Sequence, residues 1–408
     1  PKVVVLSTFS VAPARGGGQL RSLHLYGALT TRFDVELVCL AAAWEQASRT
    51  ALAPGLYQTV VPRSDAQQGA EEAWGRAAGV AVSDIVAGEL VMSSPAYLDA
   101  LREALLDAEV VLLAHPYLLP ALDLVASTAP IVYDAHNCEL ALKEMVLAEA
   151  DNADDLLARV TAVEGDALRR ALLTTVCSPA DAAELARRYP ATTVEELLVV
   201  PNGADVVGTP FTTGDERDRA TAAFLGRYRS LRGRNGAELR HLGVFFGSWH
   251  PPNIEAGRAI VAIAADVADT VFVLVGGHVE AIDRQSLPPN VAPAGVVSDA
   301  TRLALLRAAT VALNPMLMGS GTNLKLVEAL AAGAPVVSTP TGARGLPVLD
   351  GEHLRLTTAD DLAATVAATV IDPARHRRAA TARALVERSY DWRALGAGLA
   401  DVLAAKLA

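Results

Sequence analysis

The chain has 408 residues, a formal net charge of −11, 51% hydrophobic residues and 5% aromatics. That length exceeds one comfortable hydrophobic core and predicts two domains of about 200 residues each. The acidic balance and the lack of a Lys/Arg-dense tract exclude nucleic acid as the main partner, and no apolar run nears the roughly 20 residues of a membrane span.

In chain order, short β-branched runs alternate with helical patterns. The first strands are expected at Val3–Ser7, Val35–Leu40, Thr59–Val61, Val110–Leu113, Ile131–Tyr133, Thr174–Cys177 and Leu197–Val200. The opening residues thus read as a buried strand and not as a secretory signal. Helices are expected at Gln19–Leu29, Tyr97–Leu106, Leu156–Leu172 and Pro179–Arg188, while residues 62 to 98 show no readable period. Pro201-Asn202-Gly203 is a turn signal, and residues 205 to 240 are polar and aperiodic, with the basic cluster from Arg217 to Arg240 read as a solvated linker face. The alternation resumes with strands at Gly243–Phe246, Val271–Val275, Val311–Asn314 and Val336–Thr339 and helices at Asn253–Ala268, Ala300–Ala308 and Asn323–Ala332. Two further helices flank Tyr390-Asp391-Trp392. Continuous apolar strands alternating with helices predict parallel sheets covered on both faces. The fold class is therefore α/β, with two doubly wound, Rossmann-like domains facing across a cleft. Cys39, Cys138 and Cys177 show neither metal-ligand nor disulfide spacing, which predicts buried thiols in a reducing cytosol. The Ala- and Arg-rich, Lys-poor composition fits a high-GC bacterial source.

Chemistry is expected in the loops beyond the carboxyl ends of the strands. Gly16-Gly17-Gly18 follows the first strand and opens the first helix, an anion-accepting arrangement without the GxGxxG spacing of a nicotinamide site. His115 and the run Asp134-Ala135-His136-Asn137 end two strands, where polar side chains are expected to face the cleft. Gly247-Ser248-Trp249-His250-Pro251-Pro252-Asn253 forms a rigid loop before a helix, with Asn253 as its expected cap. The strongest run is Gly319-Ser320-Gly321-Thr322-Asn323-Leu324-Lys325-Leu326-Val327-Glu328. Its glycines admit a close ligand, and the helix start offers free N–H groups and a positive dipole end suited to a diphosphate. Lys325 and Glu328 lie three apart on one helix face, either as a local ion pair or as ligands for phosphate oxygens and ribose hydroxyls. No nucleophile elbow, HExxH, P-loop or metal-ligand cluster is present in the sequence.

Residues 319 to 339 resemble the donor-site signature of the GT-B retaining glycosyltransferases of family 4. Val199–Asp205 resembles that family's interdomain motif, Phe245–Asn253 the opening of its second domain, and Tyr390-Asp391-Trp392 its C-terminal crossover. The resemblance implies an acceptor-binding domain over 1–204, joined by a helix over 391–408 that packs back on it, and a donor-binding domain over 205–390. It implies that Glu328 holds the donor ribose, that the backbone of Leu324 and Lys325 meets the diphosphate, and that Gly319, Ser320, Gly321, Thr322 and Asn323 meet the sugar. His136 matches the family's histidine beside the donor sugar, Gly17 and Gly18 its first-domain glycine loop, and Ser248 and His250 its second-domain loop. Lys325 and His136 are the expected catalytic pair. Two positions depart from the pattern. Ser320 replaces the first member of an acidic pair spaced by seven, and Trp249 and His250 stand where many members carry Arg and Lys.

The implied reaction is metal-independent transfer of a hexose from a nucleoside diphosphate sugar to an acceptor hydroxyl, with retention of configuration and no other cofactor. Expected partners are that donor and an acceptor the sequence does not identify, in polysaccharide or natural-product glycosylation. Two rivals stay open: a GT-B sugar-nucleotide epimerase, and a catalytically silent GT-B subunit that binds or activates a partner. A membrane-facing loop within residues 62 to 98 also stays open, although the lack of a basic amphipathic helix favours a soluble acceptor.

Overall fold

The computed structural model describes residues 1–227, 238–318 and 322–408. The chain divides into two compact units, Pro1–Pro201 with Arg393–Ala408, and Asn202–Trp392. Both are parallel-sheet α/β folds.

The first unit is built on β1 (Lys2–Ser7), β2 (Asp34–Ala41), β3 (Ser48–Ala53), β4 (Leu56–Pro62), β5 (Val110–Leu113), β6 (Ile131–Ala135), β7 (Ala171–Val176) and β8 (Leu197–Val199). These run in the order β3-β4-β2-β1-β5-β6-β7-β8, parallel except for β3 against β4. Val3, Val4, Val5, Val110, Val111 and Leu112 have no exposed surface, as expected of strands covered by helices on both faces. Strand order reverses beside β1, between β2 and β5, which makes the carboxyl ends of β1 and β5 the natural binding crevice. The helix Trp392–Leu407 docks its Gly396 against Leu25 and Ala28 of this unit.

The second unit holds β9 (His241–Phe246), β10 (Thr270–Val275), β11 (Val291–Gly295), β12 (Val311–Asn314), β13 (Val336–Ser338) and β14 (Arg355–Leu356), ordered β11-β10-β9-β12-β13-β14 and all parallel. Its reversal point lies between β9 and β12. The chain enters and leaves this unit side by side, since the Ala204 N–H donates to Tyr390 O at 2.8 Å and the Trp392 N–H to Ala204 O at 3.2 Å.

Several expectations need correction. Residues 62 to 98 are not aperiodic structure but helices Asp65–Ala78 and Ser83–Leu90 with the start of Pro95–Leu105. The buried positions of the first of these are Gln67, Glu71 and Ala78, so no stripe of large apolar residues marks it. The 205 to 240 segment contains the helix Gly214–Arg227. Arg217 on it is not solvated but fully buried, donating to the carbonyls of Leu306, Ala309 and Ala332 at 2.5, 3.2 and 2.9 Å. The helix expected at Gln19–Leu29 is Gly17–Arg21 followed by a wider π turn, Ser22–Tyr26. Strands β3, β11 and β14 were not expected: the first is an exposed edge, the second carries Pro293, and the third spans two residues.

Candidate functional site

In the second unit, functional side chains gather at the carboxyl ends of β9 and β12. Phe245 precedes the end of β9, and the helix Pro251–Ile263 starts six residues later with two prolines in its first turn. His250, not Asn253, is the N-cap residue. Asn253 sits one turn further in and uses its side chain otherwise: Nδ2 donates to Ser248 Oγ at 2.9 Å, and Oδ1 accepts from Lys325 Nζ. Lys325 comes from the helix Leu324–Ala331. Its amine also lies 3.6 Å from Met316 Sδ and 4.9 Å from the centroid of the Phe245 ring. Burial pushes the amine down to about 7. The first N–H groups of this helix, on Leu324 and Lys325, have no intrahelical acceptors by geometry and carry the positive end of its dipole.

Of the two readings of Lys325 and Glu328, the local ion pair is not formed. Glu328 Oε1 instead accepts from Arg302 Nη1 at 2.6 Å, reaching across to the helix Asp299–Ala308. Burial raises the Glu328 carboxyl, and Arg302 pulls against that rise. Sequence spacing had given no sign of Arg302. Asn323 precedes the helix without capping it, because its Nδ2 donates to Asn314 Oδ1 at 3.1 Å. Thr322 is buried, and its carbonyl accepts from Asn202 Nδ2 at 3.3 Å. His250 stacks on Trp249 with ring centroids 4.4 Å apart, and Trp249 is 64% exposed. Gly319, Ser320 and Gly321 lie outside the described residues.

In the first unit, the strand-end polar residues were expected to face a cleft, but Asp134 has no exposed surface and His136 only 7%. Arg21 makes a two-point contact with Asp134, Nη2 to Oδ1 at 2.6 Å and Nε to Oδ2 at 3.0 Å. Tyr26 donates to Oδ2 at 2.7 Å and Thr175 to Oδ1 at 2.5 Å. Burial alone would raise this carboxyl, but the Arg21 guanidinium and the adjacent His136 hold it well below the usual carboxylate range. His136 Nε2 lies 3.1 Å from Asp134 Oδ2, so the network assigns its proton to Nε2 and leaves Nδ1 an acceptor. Burial, then the neighbouring His115, push the imidazole down to about 4 against the opposing pull of Asp134. It is therefore neutral at physiological pH. Because its folded-state pKa lies below the ordinary 6.5, His136 lends stability above pH 6.5 that drains away as pH falls toward 4.

His136 Nδ1 is buried without a hydrogen-bond partner among the described residues, as is His115 Nδ1. A Cβ on Gly18 would stand 3.6 Å from His136 Nδ1 and 3.4 Å from the Phe9 ring, so glycine there leaves the acceptor uncovered. Gly17 occupies the first turn of the same short helix. The site is a neutral, preoriented acceptor in a partly aromatic corner, at the switch point of its sheet. Among the described residues no group of three or more His, Cys, Asp or Glu could hold a metal ion, and no helix is long and apolar enough to cross a membrane. The three cysteines are buried thiols outside any disulfide.

Two parallel-sheet units with polar loops at their switch points define a protein of the GT-B class. Structures similar over nearly the whole chain agree: sucrose-phosphate synthase from Thermosynechococcus elongatus (TM-score 0.77, 17% identity, 99% of each chain) and HepE from Anabaena in complex with UDP and glucose (TM-score 0.68, 17% identity, 98% of this chain and 99% of that one). Residues 240–372 match the family described as Glycosyl transferases group 1. Curated relatives include the phosphatidyl-myo-inositol mannosyltransferases of Mycolicibacterium smegmatis, 30% identical over 230 residues, and of Mycobacterium leprae, 30% identical over 220 residues. Those alignments cover 54% and 51% of this chain and 55% and 54% of the relatives, so the chain spans about half the length of the curated relatives it matches.

Proposed function

We propose that this chain transfers a hexose from a nucleoside diphosphate sugar to an acceptor hydroxyl with retention of configuration. The observation that carries this reading is Lys325, a partly buried amine that makes no ion pair among the described residues and sits in the first turn of a helix at the switch point of its sheet. A diphosphate supplies the missing anion, and the helix start supplies N–H donors. Glu328, held by Arg302, accepts from ribose hydroxyls. The name of the mannosyltransferase relatives supports a hexose, and UDP with glucose in the HepE structure supports a nucleotide sugar.

In this reading the acceptor hydroxyl attacks from the face the diphosphate leaves, and a diphosphate oxygen takes its proton. Charge developing on the leaving group is met by Lys325 and the helix dipole, without a metal. His136, through its free Nδ1, accepts from a sugar hydroxyl and orients the ring. In the second unit Thr322, Asn323, Ser248 and His250 complete the nucleotide-binding loops, and in the first Gly17 and Gly18 leave room beside His136. The first unit would shape the acceptor site, and the cytosol is the proposed location.

The test is a panel of UDP-, GDP-, ADP- and TDP-hexoses. One donor should raise the melting temperature and undergo slow hydrolysis to a sugar of unchanged anomeric configuration by NMR, at the same rate in EDTA. Conversion of the donor to an epimer would replace transfer with the epimerase reading. Stoichiometric partner capture without turnover on any donor would replace it with the silent-subunit reading.

Two variants refine the site. His136→Ala should lower kcat by roughly a hundredfold with donor Kd held within about threefold, because the lost hydrogen bond acts on the reacting sugar. The wild-type contribution of His136 should be flat from pH 5 to 8, since the ring stays neutral well above a pKa of about 4. Arg302→Met should weaken nucleotide binding about tenfold by freeing Glu328 from its orienting partner, read by calorimetry.

A further inference from the structure

Lys325 is surrounded by groups that hold an amine without neutralising it. Asn253 offers an amide oxygen, Met316 a thioether at 3.6 Å and Phe245 a ring face at 4.9 Å. The charged or titratable groups nearby are committed elsewhere. Glu328, on the next turn of the same helix, is taken by Arg302 at 2.6 Å. His278, from the short helix Gly277–Ala281, has Nδ1 2.8 Å from Gly247 O, and burial, with Lys325 adding to it, disfavours its protonation. Among the described residues no carboxylate pairs with the amine.

Asn253 is itself held from behind. Its Nδ2 donates to Ser248 Oγ at 2.9 Å, which turns the oxygen of the amide toward Lys325. An aspartate at this position would occupy the same space and close an ion pair, leaving the cation spent before any ligand arrived. The asparagine fixes the amine in place and adds no charge.

We propose that Asn253 is a positioning residue that keeps Lys325 electrically uncompensated, so that the diphosphate is the anion that completes it and its arrival draws a proton from solvent onto the amine. This rests on the donor-site reading above. The balance is simple: a neutral amine and one solvent proton become an ammonium, and no covalent bond of the ligand changes. Burial places the free amine near 7, well below the ordinary 10.5. Above that value the empty site is mostly neutral, and a bound anion within reach restores the charge. The direction follows. Uptake is small at pH 6, where the amine is already protonated, and rises toward one proton at pH 8.5.

Calorimetric titration of the whole chain with UDP, GDP and ADP, each alone, in buffers of low and high ionisation enthalpy measures this uptake directly. At pH 8.5 the phosphates are already fully ionised, since their second pKa is about 6. The wild-type protein should take up close to one proton per nucleotide at pH 8.5 and show no uptake at pH 6, where the half-protonated phosphate instead releases protons on binding. Asn253→Asp should abolish the uptake and weaken binding at pH 8.5 about tenfold, because its carboxylate pre-pairs the amine and repels the phosphate. Nucleotide binding by the wild type without uptake at pH 8.5 overturns the proposal and leaves the donor site standing. So does unchanged uptake in Asn253→Asp. Failure of all three nucleotides to bind removes the donor-site reading, and this proposal with it.

Discussion

Lys325→Met is expected to lower kcat/KM by roughly 30- to 1,000-fold, the equivalent of about 2–4 kcal/mol for one charge-assisted contact to a leaving oxyanion. The fold should persist. Methionine matches the length of the lysine stem and lies easily against Met316 and the Phe245 ring. Removing an amine that has no anionic partner among the described residues also removes a desolvation cost, so the melting temperature should hold or rise. The separation matters: a loss of activity with a steady or higher melting temperature marks a residue kept for its ligand. Kinetics unaltered by the substitution would end the role assigned to Lys325.

Asp134→Ala should have the opposite profile. The carboxylate has no exposed surface and anchors Arg21, Tyr26 and Thr175 at once. Its loss leaves a guanidinium that is 1% exposed without its carboxylate, still donating to Val200 O at 3.0 Å. Breaking a buried pair from one side costs about 3–5 kcal/mol, because the other charge stays behind in a low-dielectric site. Denaturant unfolding should show a lower midpoint for the transition of the first unit. The double change Arg21→Met with Asp134→Ala should recover part of that loss, since the stranded charge is removed. His136 would lose its orienting acceptor in either variant, so a fall in kcat should accompany the fall in stability. A midpoint unchanged by Asp134→Ala would show that the charge network does not support the unit.

Much of this architecture was legible because its strands are so plainly apolar. Val3-Val4-Val5-Leu6 and Val110-Val111-Leu112-Leu113 read as covered strands and are buried throughout. Pro179–Arg188 was legible to the residue, since Ser178 caps it and a proline opens it. The failures share one physical cause. Helices Asp65–Ala78 and Gly214–Arg227 bury Gln67, Glu71, Arg217 and Thr221, so a search for apolar periodicity passes over them. Their starts were nevertheless written in the chain. Thr213 and Glu216 form a reciprocal cap, with the Thr213 N–H donating to Glu216 Oε2 at 2.9 Å and the Glu216 N–H to Thr213 Oγ1 at 3.4 Å.

The candidate site divides in the same way. Strand-end position and a glycine-rich run pointed to His136 and Lys325, but not to what holds them. Asp134 was expected outside the core because it is charged, whereas the bidentate reach of Arg21 from 113 residues away makes the core habitable for it. Asn253 looked like a cap by its place after two prolines, and only the folded chain shows it facing an amine supplied 72 residues later. Arg302 carried no local signal at all, because its partner lies on another helix 26 residues on.

The return of Arg393–Ala408 to the first unit bears on how the chain matures. A side chain at Gly396 would press within 2.3 Å of the Ala28 Cβ and 2.8 Å of the Leu25 carbonyl, so that helix seats directly on backbone laid down much earlier in the chain. Residues Asn202–Trp392 are contiguous, with their two ends hydrogen-bonded to each other, and can close as soon as they emerge from the ribosome. The first unit, made earlier, must wait for the later strip of chain before its surface over Leu25 and Ala28 is sealed. Birth order and completion order are therefore reversed, and a released chain ending at Trp392 would hold a finished second unit and a first unit still open to proteases and chaperones.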